Sequence, residues 1–128
     1  MRNVRNPAPA PYMSRPTRVI GEVTRERVET VRAATVVVEE ELLPVGAFQC
    51  LAILHQDRVT GMRDGEREFG QQIEVRCWDS EDAVTGTPTE VPFATLTRLG
   101  RRLTEEVPGV VSVTYNVASK PPSTIEAI

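Results

Sequence analysis

Few residues of this 128-residue chain have the type and spacing needed for acid–base, nucleophilic or metal chemistry. His55 is the only histidine, and no Asp, Ser or Cys stands at a spacing that would make it a catalytic base or a metal ligand. Glu39, Glu40 and Glu41 are consecutive in a helical pattern, so their side chains point in different directions and cannot act as a convergent acid and base. A phosphate-binding glycine loop is missing as well, and the residues therefore predict no independent enzyme and no bound metal or cofactor.

The two cysteines, Cys50 and Cys77, match the spacing of neither a zinc site nor a redox motif. A free cysteine usually behaves as a small buried hydrophobic residue. We therefore expect two reduced thiols in the core of a cytoplasmic protein.

Composition and charge exclude several classes of partner. The net charge is -3 and the pI is about 5.2, whereas nucleic acids and anionic membranes favour basic surfaces. No apolar run approaches the roughly 20 residues that span a bilayer, and the N-terminus has no apolar signal-peptide region. We expect a cytoplasmic protein without a membrane or nucleic-acid partner.

The first half of the chain predicts a helix followed by a strand. Residues 24–43 contain no Gly or Pro, and their apolar side chains recur at helical spacing, with Thr24 as N-cap and Pro44 and Gly46 as terminators. The helical stripe consists of Val28, Val31, Thr35, Val38 and Leu42. Residues 48–56 form an apolar run of strand length, and residues 57–68 are charged and predict a long loop or a hairpin connection.

The second half predicts a strand, a helix and two further strands. Residues 71–79 alternate, with Ile73, Val75 and Cys77 on one face, and residues 80–90 predict a loop. Residues 92–107 predict a helix that buries Phe93, Leu96, Leu99 and Leu103. Residues 110–117 place Val111, Val113, Tyr115 and Val117 on one face, and residues 124–128 could add a last strand.

These elements predict an α+β fold, an αββαββ two-layer sandwich with helices on one face of a three- to four-stranded antiparallel or mixed sheet. The proline-rich residues 1–16 cannot supply a packed face and predict a disordered N-terminal arm. Residues 17–128 would then form the one folded domain.

Several segments resemble a known family. The most specific are R-V-I-G-E-V-T-R-E-R at residues 18–27, V-E-E-E-L at 38–42, E-V-P-G-V at 106–110 and Y-N-V-A-S-K-P-P-S-T-I-E at 115–126; Arg76, Ser80, Glu81, Asp82 and Thr85 fit the pattern R-A-V-x-S-E-D-x-M-T. In order and spacing they are similar to the C-terminal dimerisation domain of glutamine-hydrolysing GMP synthases, over residues 18–126. That family's domain also has the αββαββ arrangement.

The resemblance implies a non-catalytic module that forms a homodimer or higher homo-oligomer and binds XMP, the nucleotide converted to GMP. It would be a free-standing subunit of a split GMP synthase in purine biosynthesis, with the ATP-pyrophosphatase and glutaminase on a separate chain. By position, the XMP contacts would be Arg18, Gln49, Lys120, Thr124, Ile125 and Glu126, with loop contacts from Asp64 and Arg67. A lysine at position 120 suits a phosphate, because its ammonium is a compact point charge.

Departures from the family pattern support alternatives. The family's T-I-E-W-E ending is replaced by Ala127 and Ile128 after Glu126, and the loop around Asp64 is altered in register. A repurposed structural or interaction protein would keep the dimer fold and lose XMP binding. KH-type RNA-binding domains share the element order, but they need a G-x-x-G loop and a basic face, both absent from this sequence.

Overall fold

The computed structural model describes residues 18–47, 49–79, 86–120 and 122–123. These residues form two α-helices, α1 (Arg25–Leu42) and α2 (Phe93–Glu106), and five strands: β1 (Gln49–Leu54), β2 (Val59–Arg63), β3 (Glu66–Asp79), β4 (Thr87–Pro88) and β5 (Val110–Tyr115). The arm predicted for residues 1–16 and the strand predicted for residues 124–128 lie outside the described residues.

Helix α1 forms as the sequence predicts. The Thr24 hydroxyl accepts a hydrogen bond from the Arg27 backbone N–H at 3.1 Å, which satisfies one of the free donors at the helix start. A 3₁₀ turn over Leu43–Val45 follows the last helical residue, and Gly46 closes it with a φ of 100° that favours glycine. The predicted stripe faces the core, where Val31, Val38 and Leu42 are buried.

Helix α2 begins after Pro92, whose carbonyl accepts from the backbone N–H groups of Thr95 and Leu96. Leu99 and Leu103 are buried as predicted, but Phe93 is 78% exposed. Phe93 and Leu99 are six residues apart, so their side chains point roughly 120° away from each other around an α-helix and cannot share a narrow face. The prediction that Phe93 is buried is therefore wrong.

Strand β3 is the centre of a mixed five-stranded sheet. Strands β1 and β2 pair antiparallel with its C-terminal and N-terminal parts, β4 pairs antiparallel with its last residues, and β5 pairs with it in parallel. Both helices pack on one face, where the core includes Ala52, Leu54, Ile73, Val75 and Leu103. The predicted α+β two-layer sandwich is confirmed, with five strands in the described residues in place of three or four.

Two of the five strands were not predicted, β2 and β4. The short strand β4 lies within residues 80–90, for which a loop was predicted, and β2 belongs to a hairpin within residues 57–68, for which a long loop or a hairpin connection was predicted. Arg63 pairs with Glu66, so Asp64 and Gly65 form a two-residue turn with φ values of 53° and 80°. Two positive φ values define the type I′ turn, whose right-handed twist suits a hairpin, and Asp-Gly is a strong sequence signal for it. Of the two alternatives left open for these residues, the structure therefore has the hairpin.

The β2–β3 hairpin packs on the start of β5 through two glycines. A Cβ atom on Gly61 would lie 2.8 Å from the Val111 Cβ, and one on Gly70 would lie 2.6 Å from a Val111 methyl group. Val111 stands at an irregularity in the β3–β5 register and faces these glycines. The prediction that Val111, Val113, Tyr115 and Val117 share one face is therefore wrong for the first and the last of them. Val111 faces the hairpin glycines, and Val117 is 76% exposed.

The cysteines do not remain as the expected reduced thiols, because Cys50 and Cys77 form a disulfide in this structure. The antiparallel register sets them directly opposite each other on β1 and β3, with their Cα atoms 4.1 Å apart. Their separation of 27 residues carries no signal of this contact, which depends on how the two strands pair. The predicted burial of Cys77 is confirmed.

Candidate functional site

The sheet has a second, helix-free face, formed by Gln49, Leu51 and Ile53 of β1 and by Glu74, Arg76 and Trp78 of β3. Successive strand residues point to opposite faces, and the alternate residues Ala52, Leu54, Val75 and Cys77 belong to the helix-facing core. Leu51, Ile53 and Trp78 on the helix-free face are nonetheless buried, with 6%, 0% and 3% exposure. This face therefore combines an apolar floor with polar side chains.

A polar row crosses the helix-free face around Glu74. One carboxylate oxygen of Glu74 accepts from the Arg76 Nε at 2.6 Å, and the other lies 2.7 Å from the His55 Nε2. Burial raises the pKa of Glu74, but the hydrogen bonds from Arg76 and His55 outweigh it and hold that pKa below its ordinary value. The row thus fixes an arginine beside an ionised carboxylate on one strand.

Arg18 lies at the β1 edge of the sheet. The next residue, Val19, pairs in parallel with Leu54, and the Ile20 N–H donates to the Leu54 carbonyl at 2.9 Å. The Arg27 guanidinium fastens this segment to the end of β1, because it donates to the carbonyls of Ile20 and His55, both at 2.8 Å. Arg18 itself is 9% exposed, so a buried cation stands next to β1.

Trp78 lies near two of the residues that were predicted to contact XMP, Gln49 and Lys120. Gln49 is its cross-strand partner on β1. On its other side, Gly86 lies so close that an added Cβ would be 3.0 Å from the six-membered ring of the indole. Gly86 in turn exchanges two backbone hydrogen bonds with Lys120, at 2.9 and 3.1 Å. Gln49 and Lys120, 71 positions apart in the sequence, are thereby brought to the same end of the sheet.

The other predicted contacts are not part of this arrangement. Asp64 and Arg67 are exposed at the tip of the β2–β3 hairpin. Arg67 and Arg76 are nine positions apart on β3, which corresponds to roughly 30 Å of extended strand. Thr124, Ile125 and Glu126 lie outside the described residues.

An apolar groove lies on the opposite, helix-bearing side of the sheet. It has a volume of about 230 Å³ and is lined by residues of α2, β3 and β5, among them Phe93, Leu96, Gly100, Val113 and Tyr115. The Tyr115 hydroxyl donates to the Thr89 carbonyl at 2.6 Å, and burial, with the nearby Asp79 carboxylate, raises the pKa of Tyr115 to about 12. Such a lining offers few groups for a charged ligand.

The helix-free face presents an arginine and two hydrogen-bonding side chains above its apolar floor. Arg76 lies on this face with Gln49 and Trp78. The Lys120 backbone pairs with Gly86 beside the indole, whereas Arg18 adjoins the opposite end of β1, next to the Val19–Leu54 pair. In the described ranges, no group of three or more His, Cys, Asp or Glu side chains could hold a metal ion. Neither α1 nor α2, the helices of these ranges, has the length and apolarity needed to cross a membrane.

Sequence reasoning missed Arg27, Glu74, Arg76 and Trp78 as parts of this site. The alternation of residues 71–79 does place Glu74 and Arg76 on a polar face, so that part of the signal was present. The closeness of Trp78 to Gln49 and Lys120 depends instead on strand pairing between distant segments.

The sequence of this chain matches a known protein family. The family model described as GMP synthase C terminal domain matches residues 37–127, which is more than half of the chain.

Curated relatives carry the same enzyme name. Over 126 residues the chain is 43% identical to a GMP synthase (glutamine-hydrolyzing) of Pyrobaculum aerophilum, covering 95% of this chain and 25% of that protein. It is 44% identical over 123 residues to a Methanocella arvoryzae protein named as one subunit of a glutamine-hydrolyzing GMP synthase, covering 95% of this chain and 39% of that protein. A Mycobacterium marinum GMP synthase is 42% identical over 127 residues, with 95% and 24% covered. The chain thus spans about a quarter to two-fifths of the length of these relatives.

Proposed function

Because the chain belongs to the family of GMP synthase C-terminal domains, we propose that it is a non-catalytic module of a GMP synthase. In this proposal it binds XMP on the helix-free face, pairs with a second copy of itself, and needs no cofactor of its own. The synthesis of GMP would require the pyrophosphatase and glutaminase parts of the enzyme. Some relatives bear names that make each of them one subunit of the enzyme, which supports the proposal that these parts work as an assembly of chains.

The observation that carries the nucleotide proposal is the position of Gln49 and Lys120 relative to Trp78. Gln49 is the cross-strand partner of Trp78, and the Lys120 backbone pairs with Gly86, which lies against the indole ring. An ammonium group suits a phosphate, and a side-chain amide can both donate to and accept from a purine base. The buried floor of Leu51 and Ile53 lowers the local dielectric, which strengthens any hydrogen bond made above it.

Lys120 gives this proposal a direct test, because it is the only lysine in the sequence. Titration calorimetry of the protein with XMP should show binding, and Lys120→Ala should weaken that binding roughly tenfold or more, as expected for a hydrogen bond to a charged group. GMP and AMP serve as ligand controls. Arg101→Ala, which removes an exposed cation of α2, should leave XMP affinity unchanged.

The same lysine can be followed spectroscopically. Reductive methylation with ¹³C-formaldehyde labels Lys120 as the only side-chain amine, and its resonance should shift when XMP is added. Absence of both heat and shift with every nucleotide would contradict the XMP proposal. It would leave the alternative of a module retained only for assembly.

Exposed apolar side chains support self-association. Thr60 faces Phe69 and Met62 faces Arg67 across the β2–β3 hairpin, so Met62 and Phe69 share its outer face, opposite the glycine contact with Val111. They are 70% and 62% exposed. Contiguous exposed apolar groups of this kind mark protein interfaces, and isologous two-fold pairing is the commonest form of self-association.

A further inference from the structure

We infer that the indole N–H of Trp78 is a further hydrogen-bond donor of the nucleotide site and donates to an oxygen atom of the bound anion. The inference rests on the proposed function and adds to it a contact that was not expected from the sequence. Its first support is position: Trp78 lies between the cross-strand partner Gln49 and the Gly86–Lys120 pair.

The second support is an unsatisfied donor. Trp78 is 3% exposed, and among the residues that the structure describes its buried Nε1 has no hydrogen-bond partner. Buried polar groups in native proteins are nearly always paired, because an unpaired one costs about 1–3 kcal/mol. The Gln71 Oε1 is also unpaired, but it stands near Gly109 on the far side of the β3–β5 irregularity. Within the described part of the predicted site, the indole N–H is therefore the unsatisfied group.

The chemistry of the indole determines what it can bind. Its N–H is a donor only and carries no charge, so its partner must be an acceptor. An XMP molecule offers oxygen acceptors of two kinds, those of the phosphate and the carbonyls of the purine. The Lys120 backbone pairs with Gly86 beside the six-membered ring of the indole, and Gln49 is the cross-strand partner of Trp78. The N–H belongs to the five-membered ring, so its hydrogen bond would be separate from a contact of Lys120 and would help to fix the orientation of the ligand.

The test uses the fact that Trp78 is the only tryptophan of the chain. A ¹H–¹⁵N correlation spectrum will contain one indole resonance, which XMP should shift downfield. Xanthosine lacks the phosphate and inorganic phosphate lacks the purine, so these two probes show which oxygen accepts the hydrogen bond.

Trp78→Phe removes the N–H and keeps an aromatic ring under Gly86. We expect about a tenfold loss of XMP affinity, the usual effect of one hydrogen bond to a charged or strongly polar acceptor. Tyr115→Phe is the matched control, since it removes a ring donor on the helix-bearing side of the sheet, and XMP affinity should not change.

The outcomes separate the two proposals. If XMP binds in a Lys120-dependent manner but the indole resonance does not move and Trp78→Phe binds equally well, the inference is overturned and the proposed function stands. If the unaltered protein binds no nucleotide, both are overturned. The resonance of the unaltered protein decides the question even if Trp78→Phe does not fold.

Discussion

At the scale of single residues, Glu74 determines the polarity of the helix-free face. Its carboxylate holds Arg76 and His55 at 2.6 and 2.7 Å while only 13% of its side chain is exposed. A charge in such a position is stable only because both of its oxygen atoms have hydrogen-bonding partners. The orientation of Arg76 beside the proposed nucleotide site follows from this carboxylate.

We therefore expect Glu74→Gln to lower the free energy of unfolding by about 1–3 kcal/mol at pH 7, the cost of leaving the hydrogen-bonding partners Arg76 and His55 poorly satisfied. The folded-state pKa of Glu74 is lower than its unfolded value, so its contribution is present above about pH 4.3 and is lost as pH falls through the folded-state pKa. Urea titrations at several pH values measure this. The difference between variant and unaltered protein should shrink on acidification, and a difference that is independent of pH would contradict this explanation.

Single residues also show what the sequence could predict. The type of Thr24 and its position before a helical pattern were sufficient to identify the cap that the structure shows. The Asp64–Gly65 dipeptide was a readable turn signal. The Cys50–Cys77 disulfide and the closeness of Trp78 to Lys120 were not predictable, because they arise from the register of strands that meet only in three dimensions.

At the scale of elements, the position of the β2–β3 hairpin depends on two glycines that permit close packing as much as on hydrogen bonds. Gly61 and Gly70 let Val111 approach the hairpin backbone. Arg63 adds hydrogen bonds from its guanidinium to the Thr104 and Val110 carbonyls, at 3.4 and 3.3 Å. Helical periodicity predicted both helices, whereas this contact between elements has no periodic signature.

Gly61→Ala should therefore destabilise the protein by about 1–3 kcal/mol, as overpacking does, since its Cβ would lie 2.8 Å from that of Val111. Thermal or urea unfolding measures the effect, and adding Val111→Ala should recover part of the loss. Gly100→Ala is the control: its Cβ meets nothing within 4 Å in α2, and alanine should stabilise that helix by about 0.5–1 kcal/mol. Equal effects of the two substitutions would contradict the packing argument.

At the scale of the whole molecule, the two faces of the sheet differ in what packs against them. One face carries the helices and the core, and the other carries the proposed XMP site. The hairpin extends beyond both, with Met62 and Phe69 exposed on its outer face. We propose that two copies of the chain pair through that surface.

The combined substitution Met62→Glu and Phe69→Glu should convert a dimer into a monomer, because paired copies would then bury like charges. Light scattering coupled to size-exclusion chromatography measures the mass directly. Phe93→Glu, at an exposed position of α2, should leave the dimer intact. A monomeric unaltered protein, or a dimer that survives the double substitution, would show that the hairpin is not the interface.

The central place of β3 also has a consequence for synthesis on the ribosome. In the described part of the chain each of the four other strands pairs with β3, but its parallel partner β5 ends at Tyr115, 36 residues after β3 itself. At about 5–20 residues per second, translation takes roughly 2–7 seconds to cross that distance. During this interval the nascent chain presents an open strand edge, the feature that promotes aggregation. A ribosome that stalls between the two strands would prolong that exposure.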